Sequence, residues 1–327
     1  MKKILVTGGA GYIGSFIVRE LKKNGYDPII VDNLSSGHSE AVKDFKLYEL
    51  DLVNEKEKLD EIFKNENFSG VIHMASFIQM GESFRDPLKY FDNNLKATIN
   101  LLEVMTQNNV LKMVFSSSAG VYGVPSKLPI NEDDPKNPEN PYGETKLQIE
   151  RILHWLDLSH NLKSICIRYF NASGASLDGE IGENHPNESH LIPILIKAAI
   201  GGKKATIYGN DYNTPDGTNV RDYVHVLDLA RAHALAISKL LEGSDSKALN
   251  AGTGKGYSNK EILEEIKGLV GNFEVEYGTR RPGDADSLYA EVLKIEKELG
   301  WKAQYGLKEI VESAYKWHKN HPNRYKE

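Results

Sequence analysis

Cysteine is nearly absent from this chain: Cys166 is the single one among 327 residues. A lone thiol cannot form an internal disulfide, and it excludes a cysteine-rich metal site. It lies in KSICIRYF, which reads as a buried strand where the thiol packs as a small hydrophobe. Long hydrophobic runs are lacking too. No stretch approaches the roughly 18 apolar residues of a membrane span. The run Ile4 to Val6 in MKKILVTGG is far too short for a secretory signal, so a soluble, cytoplasmic protein is expected. Nor is there a surplus of positive charge, since 40 Lys and Arg face 46 Asp and Glu for a net charge of −6. The molecule as a whole therefore repels nucleic acid and acidic membrane, and an anionic ligand has to be held by a few local donors. Internal repeats and low-complexity tracts are missing. What remains is ordinary globular composition, 40% hydrophobic and 26% charged, in a chain long enough for two closely joined domains.

The first informative stretch is KILVTGG, a continuous apolar run suited to a parallel sheet covered on both faces. It enters GGAGYIGSFIVRELKKNG, where Ile13, Ile17, Val18 and Leu21 follow helical spacing, and the next strand, DPIIVDN, ends at Asp32. Gly8 permits the tight turn, Gly11 lets the backbone approach a pyrophosphate, and Gly14 allows the helix to pack close on the strand. The helix N-terminus offers N–H groups and a partial positive charge to that phosphate. A carboxylate at Asp32 can accept hydrogen bonds from the adenosine ribose and would repel a 2′-phosphate, which favours NAD over NADP.

Further strands follow: KLYELDL to Asp51, GVIHMAS through His73, KMVFSSS to Ser118 and SICIRYFN to Asn171. In an open parallel sheet, ligands collect outside the carboxyl ends of the strands, so these polar residues belong on one rim. His73, with no partner cluster, reads as structural. Beyond the turn-rich NEDDPKNPENP, the segment PYGETK places Tyr142 and Lys146 four apart on one helix face.

TGGAGYIG, SSSAGVYG and PYGETK, in this order, resemble the extended short-chain dehydrogenase/reductases. YFNASGA, GNDYNTPDGTNVRDYVHVLDLARAH and RRPGD are similar to the sugar-nucleotide 4-epimerases within that family. The resemblance runs from Lys3 to about Trp301. It implies an α/β fold: a Rossmann-type doubly wound parallel sheet with a second, smaller α/β substrate domain. The expected NAD-binding domain spans 1–171 plus about 219–242, and the UDP-sugar domain about 172–218 plus 243–327, with the site in the cleft between them.

The resemblance also implies roles. Tyr142 is the acid/base, Lys146 its activator, and Ser118 the hydroxyl that shares the substrate proton; all three also touch cofactor. An ordinary tyrosine has a pKa of about 10, and lowering it by about three units asks for roughly 4 kcal/mol of differential stabilisation. A nearby ammonium is one source. Other implied NAD contacts are Gly8, Gly11, Tyr12, Ile13 and Gly14 in the glycine turn, then Asp32, Asn33, Ser35, Ser36 and Gly37. Asp51 and Leu52, Met74, Ala75 and Ser76, Asn93 and Phe170 complete the set. Ile78 stands where a lysine near the cofactor phosphates is common.

For a UDP-hexose substrate the resemblance implies Ser118, Tyr142, Asn171, His190, Leu191, Thr206 and Tyr208. It sets Arg221 and Arg281 on the diphosphate, with Arg280 able to exchange with its neighbour, and Asp284 on the uridine ribose. His190 replaces an asparagine of many members. Leu288 sits where bulk restricts, and small size admits, a 2-acetamido group. No metal is expected. Helices around 88–106 and 142–160 imply a homodimer through a four-helix bundle.

Relatives that eliminate water carry Asp-Glu directly after the catalytic hydroxyl, and decarboxylases keep a glutamate two positions after it. Here Ala119 and Gly120 occupy those places, and neither can move a proton. The expected reaction is therefore transient oxidation at sugar C4 and return of hydride to the opposite face, interconverting UDP-glucose and UDP-galactose. A 4-epimerase of other UDP-sugars, whether N-acetylhexosamine, pentose or uronic acid, shares this chemistry. A non-catalytic NAD-sensing regulator shares the fold.

Overall fold

The apolar runs of the first half become strands and the amphipathic runs between them become helices in the computed structural model, which describes residues 1–185, 188–281, 283–322 and 325. In chain order the elements begin β1 (Lys3–Thr7), α1 (Tyr12–Lys23), β2 (Asp27–Asp32), β3 (Lys46–Glu49), α2 (Lys56–Glu66) and β4 (Gly70–His73). Next come α3 (Met80–Arg85), α4 (Pro87–Tyr90), α5 (Lys96–Gln107), β5 (Lys112–Ser118), α6 (Pro141–His160) and β6 (Lys163–Tyr169). The chain continues through β7 (Asn171–Ser173), α7 (Leu191–Gly201), β8 (Ala205–Tyr208), β9 (Val220–His225), α8 (Val226–Leu241) and β10 (Lys247–Ala251). It ends with β11 (Gly256–Ser258), α9 (Asn259–Val270), β12 (Val275–Gly278), β13 (Ser287–Leu288), α10 (Leu293–Leu299) and α11 (Leu307–Asn320).

One unit comprises Met1–Gly123, Pro135–Arg168 and Ala230–Leu249. Its seven-stranded sheet runs β10-β6-β5-β4-β1-β2-β3. β1 pairs in parallel with both β2 and β4, which lie on opposite sides of it. The order therefore reverses at β1, and a crevice opens at the carboxyl ends of β1 and β4. Every residue of β4 is buried, as expected for a strand covered on both faces. Leu5, Val71 and Met113 pack with Leu59, Leu101 and Leu153 of the flanking helices, and Cys166 is part of this same core.

The other unit comprises Val124–Asp134, Tyr169–Leu229 and Asn250–Glu327. In it β9 pairs with β7, β11 and β13, and β8 pairs in parallel with β12. Ile192 and Ile196 of α7, Ile262 and Ile266 of α9, and Ile310 of α11 form its core with Ile207 of β8.

Helical periodicity over 88–106 predicts one helix. The structure interrupts it with a π-turn at Phe91–Leu95 between α4 and α5. Such a turn adds a residue without disturbing the apolar stripe enough to be read, and it often marks a functional position. No helix among the described residues is long and apolar enough to cross a membrane.

Glu66 closes α2 and ties the sheet to it. Its carboxylate accepts bonds from Lys3 Nζ at 2.6 Å, from Lys46 Nζ and from Tyr48 Oη at 2.6 Å. Lys3 first, then Lys46 and Tyr48, lower its pKa to about 2 from 4.5. A depressed carboxylate stabilises the fold above about pH 4.5, and the contribution disappears as pH falls through about 2. Glu66→Gln is expected to cost about 2 kcal/mol at pH 7, a modest value because both lysines stay partly in water. Urea midpoints of parent and variant should differ at pH 7 and converge only as pH falls towards 2.

Candidate active site

The glycine turn is shaped by contacts that leave no room for side chains. Gly8 adopts φ +70°, and a methyl group on it would lie 2.6 Å from the Ala75 backbone nitrogen. A methyl on Gly14 would lie 2.2 Å from the Gly8 carbonyl oxygen. α1 then starts with Gly11 as its N-cap and no side chain capping it. The first-turn N–H groups of Tyr12, Ile13 and Gly14 thus face the turn. Asp32 is buried at the end of β2, where Oδ2 accepts the Ala10 N–H and Oδ1 the Leu34 N–H, each at 2.9 Å. Burial pushes its pKa up and the two backbone bonds oppose that. Each carboxylate oxygen keeps a further lone pair for a ribose hydroxyl.

The other cofactor candidates of this unit line the same sheet end. Asn33 Oδ1 accepts the Ser35 N–H at 3.1 Å, with Ser36 next in the turn. A methyl on Gly37 would lie 2.9 Å from the Ala10 carbonyl carbon. Asp51 Oδ1 accepts the Val53 N–H at 2.8 Å, and Leu52 between them is buried. Met74 continues β4 by donating its N–H to the Thr7 carbonyl at 3.0 Å, and Ser76 Oγ donates to the Phe77 carbonyl at 3.0 Å. Asn93 lies on the π-turn and donates to Asn94. An uncapped helix end, glycines that a Cβ would block and a ribose-ready carboxylate together fit a dinucleotide. Phe170 lies in the other unit, buried, with its N–H to the Ala251 carbonyl. Ile78 is exposed and apolar.

Ser118, Tyr142 and Lys146 come together where α6 crosses the end of β5. Asn140 caps α6 by accepting the Gly143 N–H at 2.8 Å, and Pro141 takes the first helical position, where no N–H is needed. Ser118 Oγ accepts the Gly120 N–H at 3.0 Å. A methyl on Gly120 would lie 3.3 Å from Ser118 Oγ and 3.9 Å from Tyr142 Cε1, so hydroxyl and phenol ring flank this one residue. A methyl on Gly143 would sit 2.6 Å from the Gly120 carbonyl oxygen. Two facing glycines thus let the backbone after β5 touch the first turn of α6. Lys146 is buried, donates to the Ser116 carbonyl at 2.9 Å, and lies 5.7 Å from the Tyr142 ring centroid. Burial alone pulls its pKa down to about 7.

His73 is held between Thr7 Oγ1 at 2.6 Å and Thr98 Oγ1 at 2.9 Å. Burial, with a smaller contribution from Lys146, lowers its pKa to about 3. It is a neutral bridge from β4 to β1 and α5.

In the other unit, Leu288 stands opposite Arg221 in the β13–β9 register, and Asn171 opposite Tyr223 in β7–β9. Arg221 donates to the Val220 carbonyl at 2.8 Å and lies 3.6 Å from Asp284, which also accepts from Tyr212 Oη at 3.4 Å. Thr206 and Tyr208 share the outer face of β8. Arg281 stacks on Tyr208 at 4.4 Å, whereas Arg280 lies 4.2 Å over Tyr212 and pairs with Asp211 at 2.7 Å. The two neighbouring arginines are therefore not equivalent. His190 precedes Leu191, the first residue of α7, and pairs with Glu183 at 2.6 Å.

Residues 4–252 match the model of the NAD dependent epimerase/dehydratase family. The chain belongs to this family. A UDP-glucose 4-epimerase of Lactobacillus helveticus is 48% identical, with 99% of each chain covered. The crystal structure of UDP-glucose 4-epimerase from Brucella ovis in complex with NAD superposes with a TM-score of 0.94 at 43% identity, covering 96% of this chain and 98% of that one. That from Bifidobacterium longum in complex with NAD+ and UDP gives 0.92 at 38% identity, covering 98% and 99%.

Sequence reading missed the residues that hold this family site in register. Glu150 continues the stripe Tyr142, Lys146 on α6, accepting from Ser117 Oγ at 2.5 Å and from Arg168 Nε at 2.9 Å. Arg168 Nη2 reaches the other Glu150 oxygen at 2.6 Å, and Nη1 donates to Tyr122 Oη at 2.8 Å. The helix carrying the phenol is thereby bound to the strand carrying the hydroxyl. The signal was visible in the fourfold spacing of 142, 146 and 150. Asn94 on the π-turn donates to Thr145 Oγ1 at 3.1 Å and accepts the Phe77 N–H at 2.8 Å. No sequence pattern marked it. Glu150→Ala strands a buried guanidinium and is expected to cost about 3–5 kcal/mol, read as a large drop in Tm. A change below about 1 kcal/mol would show that the pair does not carry this load.

Proposed function

We propose that this chain interconverts UDP-glucose and UDP-galactose by passing through a 4-ketose. One observation carries the reading: Ser118 and Tyr142 flank Gly120, Lys146 is buried beneath them, and positions 119 and 120 offer no acid or base. Tyr142 removes the proton of the sugar 4-hydroxyl and later restores it. Ser118 hydrogen-bonds that hydroxyl and keeps its proton in line with the phenol. Lys146 faces the tyrosine ring, so its charge and a phenolate stabilise each other and the two groups share one proton. Bound NAD, cradled at the glycine turn by Gly8, Gly11 and Gly14 with Asp32 on the ribose, supplies the site that accepts and returns hydride.

With elimination chemistry absent, the ketose can only be reduced again, and reduction on its opposite face inverts C4. The second unit binds the UDP moiety: Arg221 and Arg281 offer bidentate donors to the diphosphate, and Asp284 accepts from the uridine ribose. Asn171, His190, Leu191, Thr206 and Tyr208 complete the contacts. Leu288, beside Arg221, leaves intermediate room at the sugar, so glucose and galactose forms are preferred over their N-acetyl counterparts. Ile99 of α5 and Trp155 and Leu158 of α6 are exposed apolar side chains, which supports a homodimer through these helices.

Purified protein incubated with UDP-galactose and no added NAD is expected to form UDP-glucose. Absence of UDP-glucose, also after NAD is added, defeats the proposal. Light scattering that gives the mass of one chain removes the dimer.

A further inference from the structure

The loop from β7 to α7 gathers four side chains that no part of the proposed chemistry requires together. Ring nitrogens of His185 and His190 and carboxylate oxygens of Glu183 and Glu188 all lie within 4.8 Å of one another. Both rings turn Nδ1 inward. His190 Nδ1 lies 2.6 Å from Glu183 Oε1 and 3.2 Å from Glu188 Oε1, and His185 Nδ1 lies 3.1 Å from Glu183 Oε1. Both carboxylates are deeply buried, with 4% and 8% of their side chains exposed.

We propose that Glu183, His185, Glu188 and His190 form a binding site for one divalent cation of the zinc class. Two imidazoles and two carboxylates are a ligand set for such an ion and not for magnesium or calcium, which take oxygen donors. Metal–ligand bonds of about 2.0–2.2 Å in a tetrahedron set neighbouring ligands about 3.3–3.6 Å apart. The contacts of 2.6, 3.1 and 3.2 Å already approach that spacing, so small side-chain rotations suffice. Two carboxylates with two neutral imidazoles carry −2, which favours a divalent cation, although Lys197 beside Glu188 offsets one of these charges.

Independent supports fix the ligands. Glu188 Oε1 accepts the N–H groups of Ser189 and His190 at 2.9 and 3.0 Å, which orients its second oxygen. The Glu183 carbonyl accepts from Trp317 Nε1 at 3.0 Å, and Gly182 packs on the same indole so tightly that a methyl there would lie 2.4 Å from Cγ. Supports of this kind around a ligand set are what tune metal sites. Without an ion the same groups form ion pairs: burial works against charge on both imidazoles, and the two acids outweigh it, raising the pKa of His185 to about 9 and that of His190 to about 10. Lys197 Nζ, 3.6 Å from Glu188 Oε2, adds a further positive charge. Metal binding therefore displaces protons and weakens as pH falls.

The test is titration of the chelator-stripped full chain with Co²⁺, then displacement by Zn²⁺. The expected result is one equivalent per chain with tetrahedral visible absorption, and a higher Tm at saturating Zn²⁺. His185→Ala and Glu188→Gln should each weaken binding at least about 100-fold. Absence of a saturable spectrum overturns the site, as does undiminished binding in either variant. Should His185→Ala not fold, Glu188→Gln and the Zn²⁺-dependent Tm of the parent decide: a parent unmoved by Zn²⁺, or a shift kept in Glu188→Gln, also overturns it. The outcome does not depend on whether the chain epimerises sugars.

Discussion

Tyr142→Phe is expected to lower kcat by about 10³-fold or more while leaving the protein folded. In the proposed mechanism the phenol oxygen exchanges a proton with the sugar, and positioned acid/base groups contribute about 10²–10⁴. The ring itself is buried and packs beside Gly120, and phenylalanine preserves that packing. KM for the UDP-sugar should change little if, as proposed, the nucleotide is held by residues of the other unit. Loss of kcat with KM unchanged and Tm within a few degrees supports the assignment. Retention of a tenth or more of parent turnover would falsify it.

Lys146→Met should give a protein that is inactive yet more stable. The ammonium is fully buried, and burial pulls its pKa from 10.5 to about 7. The folded value lies below the unfolded one, so between about pH 7 and 10.5 the unfolded chain binds a proton that the folded chain lacks. Stability therefore rises with pH across this window, and the full cost of the buried charge is present below it. Methionine keeps the aliphatic volume and removes the charge, although the Ser116 carbonyl loses its donor. A net gain of about 2 kcal/mol at pH 6 is expected. The Tm advantage over the parent should shrink as pH is raised to 9, and a variant less stable than the parent at pH 6 contradicts the argument. Activity should fall with it, because the proposed mechanism relies on the Lys146 charge, 5.7 Å from the phenol ring centroid, to favour the phenolate.

Much of this architecture was legible because backbone geometry leaves a mark on residue type. Gly8 and Gly14 must be glycine for steric reasons, so the turn between β1 and α1 is written in the sequence. The strands are read from apolar runs, since burial on both faces tolerates little else. The partners of side chains are harder to read. Glu150 and Arg168 are ordinary charged residues on a helix and a strand, and 18 positions separate them; their burial against each other depends on how α6 crosses the sheet. Asn94 matters because a π-turn rotates it towards Thr145, and a π-turn has no strong composition. In EIGENHPNESHLIP the two histidines and two glutamates follow no familiar ligand spacing, and only the folded loop brings them together. The unequal surroundings of Arg280 and Arg281 were hidden for the same reason, because neighbours in sequence point to different aromatic rings.

The contact between Gly120 and Gly143 also limits what this scaffold could become. A Cβ at position 120 would press only on Ser118 Oγ, at 3.3 Å, and would make ordinary contact with Gly143 and Tyr142 at 3.8 and 3.9 Å, whereas a Cβ at position 143 would lie 2.6 Å from the Gly120 carbonyl oxygen and has no room. The way out runs through the helix. For a side chain at position 143, α6 would first have to retreat from the turn it touches, and Glu150, anchored to Ser117 and Arg168, resists that retreat. Position 143 is thereby held to glycine, while its partner across the contact keeps room to change.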